Sequence, residues 1–558
     1  MLGELPEHDE SEDAMDQSFD SDSSSEQGPN LLELDKEATW EPVLSPEMEL
    51  PDSERPFHFS VRESGPKGIG DQVRCPIQFF FLFFTSAVLT NMVRETNRYA
   101  KAFLNTPVMK LWLRHHPKSR FHNWCDTTMA ELKKFFGLLL AMGLLRKKRL
   151  ADYWSSNPIL STPFFGSVMC RDRFLLLNRM LHINDKSKEI QRGEKGFDPW
   201  VKVRKLLDTL NKLFKKYYAP TQNISIDESL VAMKNRIVYI QYLRNKRHAR
   251  FGIKKFELCD SNGYTMHVAL YAGKDFDLRC RNGQAHIVVM ELLRAAKLLH
   301  KGYHVFTDRF YTKPELAEEL YQNRTFITGT CIKNCKGFPK ELANQLPVGG
   351  AKFMRKNSLL GIAFREKKSQ KQPVTLISTK HRTAMKTKVV RTKTVTKPEA
   401  ILNYNSYMGG VDLRDKKLYH YASERATHRY WTKIMRNLMD IAVLNAYELY
   451  KLKNFKQSKK DFILSIITDL CKASDEPQAV LPLTSPNPNI HKLILLEGKK
   501  EMNCYVCSTP KKRSKSRTWC PRCKVGVHMK CEAMFHHSDL PLARRGQKRP
   551  IDISLTFN

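Results

Sequence analysis

Four aspartates have the residue type and the setting to hold divalent metal ions. Asp227 and Asp308 each end a short β-rich run, so each presents a carboxylate at the carboxyl end of a predicted strand. Ligand and metal sites in open α/β sheets favour that place. Asp412 and Asp415 lie three residues apart at a predicted helix start, on one side of the helix. Asp is also an ordinary turn and cap residue, so a structural role is the alternative for each of them.

Carboxylates on separate segments of one core suit the cleavage of phosphodiesters. Cleavage without a covalent intermediate uses two divalent ions about 3.5–4 Å apart, one at the attacking oxygen and one at the leaving oxygen. Mg²⁺ prefers oxygen ligands and is usually held by only a few carboxylates. We therefore predict that Asp227, Asp308 and Asp412 hold two Mg²⁺ ions per active site, with Asp415 as an auxiliary residue.

The Cys- and His-rich segment near the C-terminus has the ligand types and the spacing of a zinc site. The candidate ligands are Cys504, Cys507, Cys520, Cys523, His528, Cys531, His536 and His537. In an interleaved arrangement, one ion takes Cys504, Cys507, His528 and Cys531, and a second takes the other two cysteines, His536 and either His537 or water. A single structural zinc is the alternative, because the eighth ligand is uncertain. The remaining cysteines are scattered, which argues against a disulfide framework.

The central part of the chain has an order of elements that could bring the aspartates together. A strand ends at Asp227, and two β runs at 252–260 and 264–272 flank a Ser-Asn-Gly turn. A helix over about 284–300 then precedes the strand that ends at Asp308. This order matches a ribonuclease-H-like nuclease core. The predicted fold class is multidomain α/β, in which such a core carries a β-rich insertion, a flanking all-α DNA-binding and dimerisation region, and a small C-terminal zinc module.

Composition and periodicity divide the chain into nine segments. They are a disordered acidic tail (1–74), a first helical part (75–222), the first part of the core (223–330), a β-rich insertion domain (331–403), the part of the core with the third aspartate (404–421), a second helical part (422–471), a linker (472–500), a cysteine-rich zinc-binding domain (501–540) and a basic tail (541–558).

Charge is distributed very unevenly along the 558 residues. The net charge is +35, but residues 1–50 carry −15, so the rest of the chain carries +50. A body of that charge favours a polyanionic partner, and nucleic acid is the first candidate. No stretch reaches the roughly 18–20 apolar residues that span a bilayer, so we expect no membrane partner.

Six segments of the chain closely resemble the piggyBac-type transposase family, and they occur in the family's order across residues 79–450. The segments are FLFFTSAVLTNMVRETNRYA, FFGLLLAMGLLRKKRLADYWS, RDRFLLLNRMLHIND, ISIDESL, TDRFYT and NSYMGGVDLRDK. The resemblance implies a cut-and-paste DNA transposase that cuts at element ends by metal-dependent hydrolysis. The freed 3′ hydroxyl then forms a hairpin by transesterification, and the ends are joined into TTAA targets.

The same resemblance assigns roles to particular residues. Asp227, Asp308 and Asp412 match the three catalytic aspartates, and Asp415 matches a nearby fourth acidic position. Trp431 matches an aromatic position that could stack on a distorted DNA base, with a packed helix tryptophan as the alternative. Many members have Asn where this chain has Arg309, whose guanidinium could pair with a DNA phosphate or with Asp308.

The resemblance also implies partners and a compartment. The family's cysteine-rich domain binds double-stranded DNA at the transposon ends, which agrees with the basic residues Lys511, Lys512, Arg513, Lys515 and Arg517. That run and the basic tail could also serve as nuclear-import signals, so we expect a nuclear homodimer on element ends and target DNA. Two alternatives are a domesticated descendant that binds DNA without cutting it, and a zinc-module chromatin reader whose core is only scaffold.

Overall fold

The computed structural model describes most of the chain in two units. The described residues are 37–43, 56–235, 237, 239–243, 250–273, 283–390, 393–425, 427, 429–473, 493–496, 501–508, 513–520 and 525–531. The two compact units are Met1–Asp475 and Glu476–Asn558. Five of the residues singled out by the sequence, namely Cys523, His536, His537, Lys511 and Lys512, lie outside the described residues.

The α-helices of the described residues all belong to the first unit. They are α1 (Pro76–Phe81), α2 (Ser86–Leu104), α3 (Pro107–His115), α4 (Met129–Leu144), α5 (Pro163–Val168), α6 (Arg171–Met180), α7 (Val201–Tyr217), α8 (Gln284–Ala295), α9 (Pro314–Gln322), α10 (Glu399–Tyr407), α11 (Gly410–Tyr419), α12 (Tyr430–Leu452) and α13 (Lys459–Cys471). No helix in the described ranges is long and apolar enough to cross a bilayer.

The strands form one large sheet and several small ones. They are β1 (Glu41–Pro42), β2 (Gly65–Pro66), β3 (Tyr218–Ala219), β4 (Asn223–Ala232), β5 (Ile240–Tyr242), β6 (Phe251–Asp260), β7 (Thr265–Leu270), β8 (His304–Thr307), β9 (Phe326–Thr330), β10 (Ala351–Lys356), β11 (Leu359–Phe364), β12 (Val374–Ser378), β13 (Met385–Val390), β14 (Lys393–Pro398), β15 (Ile494–Leu495), β16 (Met502–Asn503), β17 (Lys515–Ser516), β18 (Thr518–Cys520) and β19 (Val525–Gly526).

The central sheet is mixed, with the order β1-β10-β11-β12-β9-β8-β4-β6-β5 and β7 paired to β6. Strands β4, β8 and β9 run parallel, whereas β6 and β7 form the antiparallel hairpin that the sequence predicts at Ser261-Asn262-Gly263. Gly263 takes a φ of +86° in that turn, which is a left-handed conformation that glycine adopts without strain. The helix predicted before β8 is α8.

Helices that precede and follow the core strands in the chain pack directly on the central sheet. Helix α12 is buried along nearly its whole length, and its Asn445 amide exchanges two 2.9 Å hydrogen bonds with the backbone of Thr265 in β7. Asn211 of α7 does the same with Val268. Helices and sheet therefore share one apolar core, which also includes the apolar helix α4.

The structure corrects the predicted extent of the acidic tail. The sequence predicts disorder through residue 74, but residues 37–43 add strand β1 to the edge of the sheet, where the Trp40 indole donates a 2.8 Å hydrogen bond to the carbonyl of Gly337. Phe57 is buried and stacks on Phe326, with ring centroids 4.4 Å apart. These aromatic side chains pack on the core and stabilise the segment, although its average composition is that of a disordered chain.

The segment predicted as an inserted domain also differs in its connection to the core. It is rich in strands, but β10, β11 and β12 extend the central sheet because β12 pairs antiparallel with β9. Among the described residues of this segment, only the β13–β14 hairpin forms a separate pair of strands.

Candidate active site and metal centre

Asp227 and Asp308 lie side by side because their strands are parallel neighbours. The pairing of β4 with β8 ends at Ile226 opposite Thr307, so the next residue of each chain segment is one of the two aspartates. Neighbouring strands are about 4.8 Å apart. The sequence predicts that the strand ends at Asp227, but β4 continues to Ala232, where it still pairs with β6. The first two predicted aspartates are thus brought together at one level of the sheet.

The helix that carries the third aspartate makes a close contact with the same strand. Asp412 is exposed in the first turn of α11, two residues after Gly410. A Cβ on Gly410 would lie 2.4 Å from the Ser225 hydroxyl oxygen and 2.8 Å from the carbonyl oxygen of Asp260. Only glycine permits this approach, which places the start of α11 against β4 two residues before Asp227.

Asp308 sits in an environment that disfavours its own negative charge. Burial raises the pKa of its carboxyl, and the Glu228 charge raises it further. Hydrogen bonds from the backbone act in the opposite direction, including a 2.9 Å bond from the Phe310 N–H to the carboxylate. A divalent cation would relieve this repulsion and is the natural partner of such a set of oxygen donors.

Glu228 is a fourth carboxylate at the site, which the sequence reasoning missed. The buried hydroxyl of Tyr311 donates a 3.0 Å hydrogen bond to its Oε2 atom. Burial, together with the charges of Glu228 and Asp227, raises the pKa of Tyr311 well above its usual value, so the phenol remains a donor. Glu228 follows Asp227 in a strand, where successive side chains point to opposite faces, and the sequence therefore gave no reason to group the two.

A buried ionic network fastens α11 to the sheet. Arg414 is fully buried and pairs with Glu257 of β6 and with Asp415, whose Oδ1 atom is 2.7 Å from its Nη1 atom. Glu257 is also fully buried, and it accepts a 2.9 Å bond from Lys255 and a 2.6 Å bond from the Ser229 hydroxyl. Asp415, the predicted auxiliary residue, is thus held by Arg414. Neither Arg414 nor Glu257 was expected from the sequence, because apolar periodicity carries no signal for buried ion pairs.

Arg309 is exposed beside Asp308. Within the described part of the chain it forms no ion pair or hydrogen bond, and its charge makes the smallest contribution among the causes that shift the pKa of Asp308. Its guanidinium therefore remains accessible to a phosphate, and pairing with Asp308 is not seen.

Trp431 lies inside the helical core. Its side chain is 5% exposed, its ring centroid is 5.3 Å from that of His182, and the Arg429 guanidinium lies 5.3 Å from the indole. This burial favours the packed alternative over stacking on DNA.

The second unit contains a compact group of metal-ligand side chains. The ligand atoms of Cys504, Cys507, His528 and Cys531 all lie within 4.8 Å of one another, and among the described residues no aspartate group is as tight. A two-ion carboxylate site spreads its ligands around both ions, so a wider spacing is expected there. The four grouped residues are those predicted for the first zinc ion.

His528 is oriented as a metal ligand by a hydrogen bond on its far side. Its Nε2–H donates to the carbonyl of Lys515 at 2.8 Å, which leaves Nδ1 as the ligand atom, 3.2 Å from the Cys507 sulfur. Burial raises the pKa of Cys504, but backbone hydrogen bonds from His528, Cys507 and Val506 outweigh it and lower the value to about 6. The donor set therefore fits Zn²⁺.

The remaining predicted residues of this unit are only partly described. Cys520 is buried in β18, while its predicted partners for a second zinc lie outside the described residues. Arg513, Lys515 and Arg517 are all exposed, as a DNA-contacting run requires.

Comparison with known proteins finds relatives of this chain. A family model described as Transposase IS4 matches residues 75–447. The human PiggyBac transposable element-derived protein 3 is 23% identical over 491 residues, which is 83% of this chain and 76% of that protein. The human PiggyBac transposable element-derived protein 2 is 26% identical over 419 residues, or 71% of this chain and 65% of that protein.

A solved structure shares the fold. The cryo-EM structure of a piggyBac transposase synaptic complex with hairpin DNA superposes with a TM-score of 0.64 at 24% identity, covering 84% of this chain and 98% of that one. The fold and the matched family together define a transposase-type protein. More particularly, this chain belongs to the piggyBac-type transposase family.

Proposed function

We propose that this protein is a piggyBac-type cut-and-paste transposase, which cleaves DNA at the ends of its element and joins those ends to TTAA targets. The observation that carries the proposal is the parallel register of β4 and β8, which sets Asp227 beside Asp308 while Gly410 brings the Asp412 helix onto the same strand. The mixed sheet around these residues supports a ribonuclease-H-like core.

Asp227, Asp308 and Asp412 would hold two Mg²⁺ ions. When bound there, the ions supply activation of the attacking oxygen and stabilisation of the leaving oxygen. The protein's own residues prepare the site. Arg414 and Glu257 fix the Asp412 helix on the sheet, and Tyr311 holds Glu228 next to Asp308.

Binding of DNA is supported by charge and by the second unit. The basic body carries the charge that a phosphate backbone neutralises, and Arg513, Lys515 and Arg517 line the exposed surface near the proposed zinc. Structural zinc at Cys504, Cys507, His528 and Cys531 would hold that surface in shape. A nuclear homodimer on two element ends completes the proposal.

Excision of a donor that carries the element's own ends tests the proposal. We expect precise excision by the wild-type chain and none by Asp308→Ala, with Glu315→Ala, an exposed acid at the start of α9, as the matched control. Equal excision by wild type and Asp308→Ala would refute catalysis at this site.

A domesticated DNA-binding protein is the second candidate, because the human relatives that match are described as derived from transposable elements. In that case the wild-type chain would bind element-end DNA and fail to excise it.

A further inference from the structure

A second concave site lies in the helical part of the first unit, and neither catalysis nor packing explains it. It is a cleft of about 810 Å³ between the end of α3, the loop that follows it, and α6. None of the proposed catalytic aspartates or zinc ligands lines it. We propose that this cleft binds unpaired nucleotides of single-stranded DNA.

Aromatic side chains form a ready platform in the cleft. Trp112 is 39% exposed although it is the largest apolar residue of its helix. It stacks on His116 with ring centroids 4.0 Å apart and an angle of 12°, and Phe121 meets its edge at 6.1 Å. The Nδ1–H of His116 donates a 2.8 Å hydrogen bond to the carbonyl of Trp112, which fixes the imidazole in this orientation. Exposed aromatic faces of this kind stack with nucleic-acid bases.

Cations surround the platform. Lys118, Arg120, Arg171 and Arg179 line the cleft, whereas Asp172 is its single acidic lining residue. Arg171 lies 3.5 Å from Asp172, and both side chains remain 54% exposed. The cations can contact the phosphates of a DNA strand while its bases stack on the aromatic side chains inside the cleft.

The shape of the cleft favours unpaired nucleotides over a duplex. In a duplex the base faces are covered by neighbouring pairs, so they are out of reach of a platform inside a concave site. The volume lies within the range of small-ligand sites, about 300–1,000 Å³, and so suits one or a few nucleotides rather than a double helix. A second copy of the chain is the competing occupant, because the neighbouring Val108 and Leu111 are also exposed.

Fluorescence anisotropy of the full chain, without divalent ions, tests this proposal apart from cleavage. The probes are a labelled oligothymidine and a blunt duplex of equal length. We expect Trp112→Ala to weaken binding of the single strand roughly tenfold while leaving the duplex unchanged, since each stacked base contributes about 1–3 kcal/mol. Leu111→Ala, an exposed neighbour on α3 that does not line the cleft, should change neither. Trp112→Phe should retain most binding and shows that folding is intact.

Two further readouts make the result decisive. Lys118→Ala with Arg120→Ala should lower the slope of log K against log salt by about 1.4 for the single strand. Photocrosslinking with 5-iododeoxyuridine should label Trp112 or Phe121. Unchanged single-strand binding in Trp112→Ala, or a change in oligomer mass without a change in DNA binding, would overturn the proposal. Neither result bears on excision, so the catalytic proposal fails or survives separately.

Discussion

Tyr311 connects Glu228 to the proposed metal site through a buried hydrogen bond. Its hydroxyl is the buried partner of Glu228, and Glu228 in turn acts on Asp308 through its charge. The proposed site would therefore include Glu228 beside the three aspartates, with Glu228 held in place by a neutral donor. Through its negative charge, Glu228 of β4 therefore raises the pKa of Asp308, which follows the neighbouring strand β8.

Removing that donor should weaken metal use. We expect Tyr311→Phe to raise the Mg²⁺ concentration for half-maximal excision roughly tenfold, because loss of a partner that orients a ligand typically costs 10–100-fold in metal affinity. The measurement is a Mg²⁺ titration of excision, with Tyr303→Phe, another buried tyrosine of the core, as the control. An unchanged Mg²⁺ requirement would show that Glu228 plays no part in the site.

Arg309 should act on DNA rather than on metal. We expect Arg309→Gln to reduce the salt dependence of duplex binding by about one phosphate contact, a slope change of roughly 0.9, and to leave the Mg²⁺ requirement unaltered. The control is Arg62→Gln, because Arg62 is also an exposed arginine but is not adjacent to Asp308 in sequence. A lower Mg²⁺ requirement in Arg309→Gln would mean instead that this side chain competes with the ions.

At the scale of elements, the attachment of α11 to the sheet decides where the third aspartate lies. Its helix is held by a glycine contact at one end and by the Arg414–Glu257 pair in its middle. The sequence predicted a helix start at Asp412 and Asp415, yet it could not show the ion pair. Side chains that meet across 157 residues of sequence leave no local pattern.

Breaking that pair should destabilise the first unit. Arg414→Met leaves Glu257 with one cation fewer in a fully buried site, and the free energy of unfolding should fall by about 3–5 kcal/mol. Urea unfolding followed by tryptophan fluorescence measures the loss, and Lys416→Met, on the exposed face of the same helix, is the control. Adding Glu257→Gln should restore part of the stability. Equal stability of the Arg414 and Lys416 variants would contradict a structural role for the pair.

The edge strand β1 shows a second limit of element prediction. Averaged composition marks the N-terminal segment as disordered, but a single tryptophan and a few aromatics are enough to anchor short pieces of it. The strands after β9 show the same limit, since pairing partners distant in sequence decide whether a β-rich stretch forms its own domain or extends a sheet.

At the scale of the whole first unit, burial in the shared core disfavours the protonation of two histidines. Burial lowers the pKa of His182 to about 4, and the nearby Arg429 charge acts in the same direction. Burial likewise lowers the pKa of His267 to about 4. Since the folded state binds fewer protons than the unfolded state, this contribution to stability is present above pH 6.5 and is lost as the pH falls from 6.5 to 4.

Replacing His182 should reduce the loss of folding stability between pH 6.5 and pH 4. We expect the stability of the wild-type chain to fall more steeply than that of His182→Gln between pH 6.5 and 4, whatever their difference at pH 7.5. Thermal unfolding across this range provides the comparison, and His115→Gln, an exposed histidine of α3, should follow the wild type. Parallel pH profiles for wild type and His182→Gln would show that His182 is protonated in the folded state as easily as in the unfolded one.

Candidate residues for both proposed sites could be chosen from the sequence, because the aspartates of the first unit lie in distinctive local contexts and the Cys and His residues of the second unit have regular spacing. What the sequence could not provide is convergence in space. The register of β4 with β8, the contact of Gly410 with Ser225 and the burial of Trp431 follow from packing between distant segments.

The most direct test of the central claim uses purified protein and a labelled duplex that carries the element's end. With Mg²⁺, the wild-type chain should cut one strand and convert the end to a hairpin. Asp227→Asn, Asp308→Asn and Asp412→Asn should each bind this DNA with little change yet form no hairpin. Hairpin formation that survives the loss of any one of these three carboxylates would contradict the assignment of the active site.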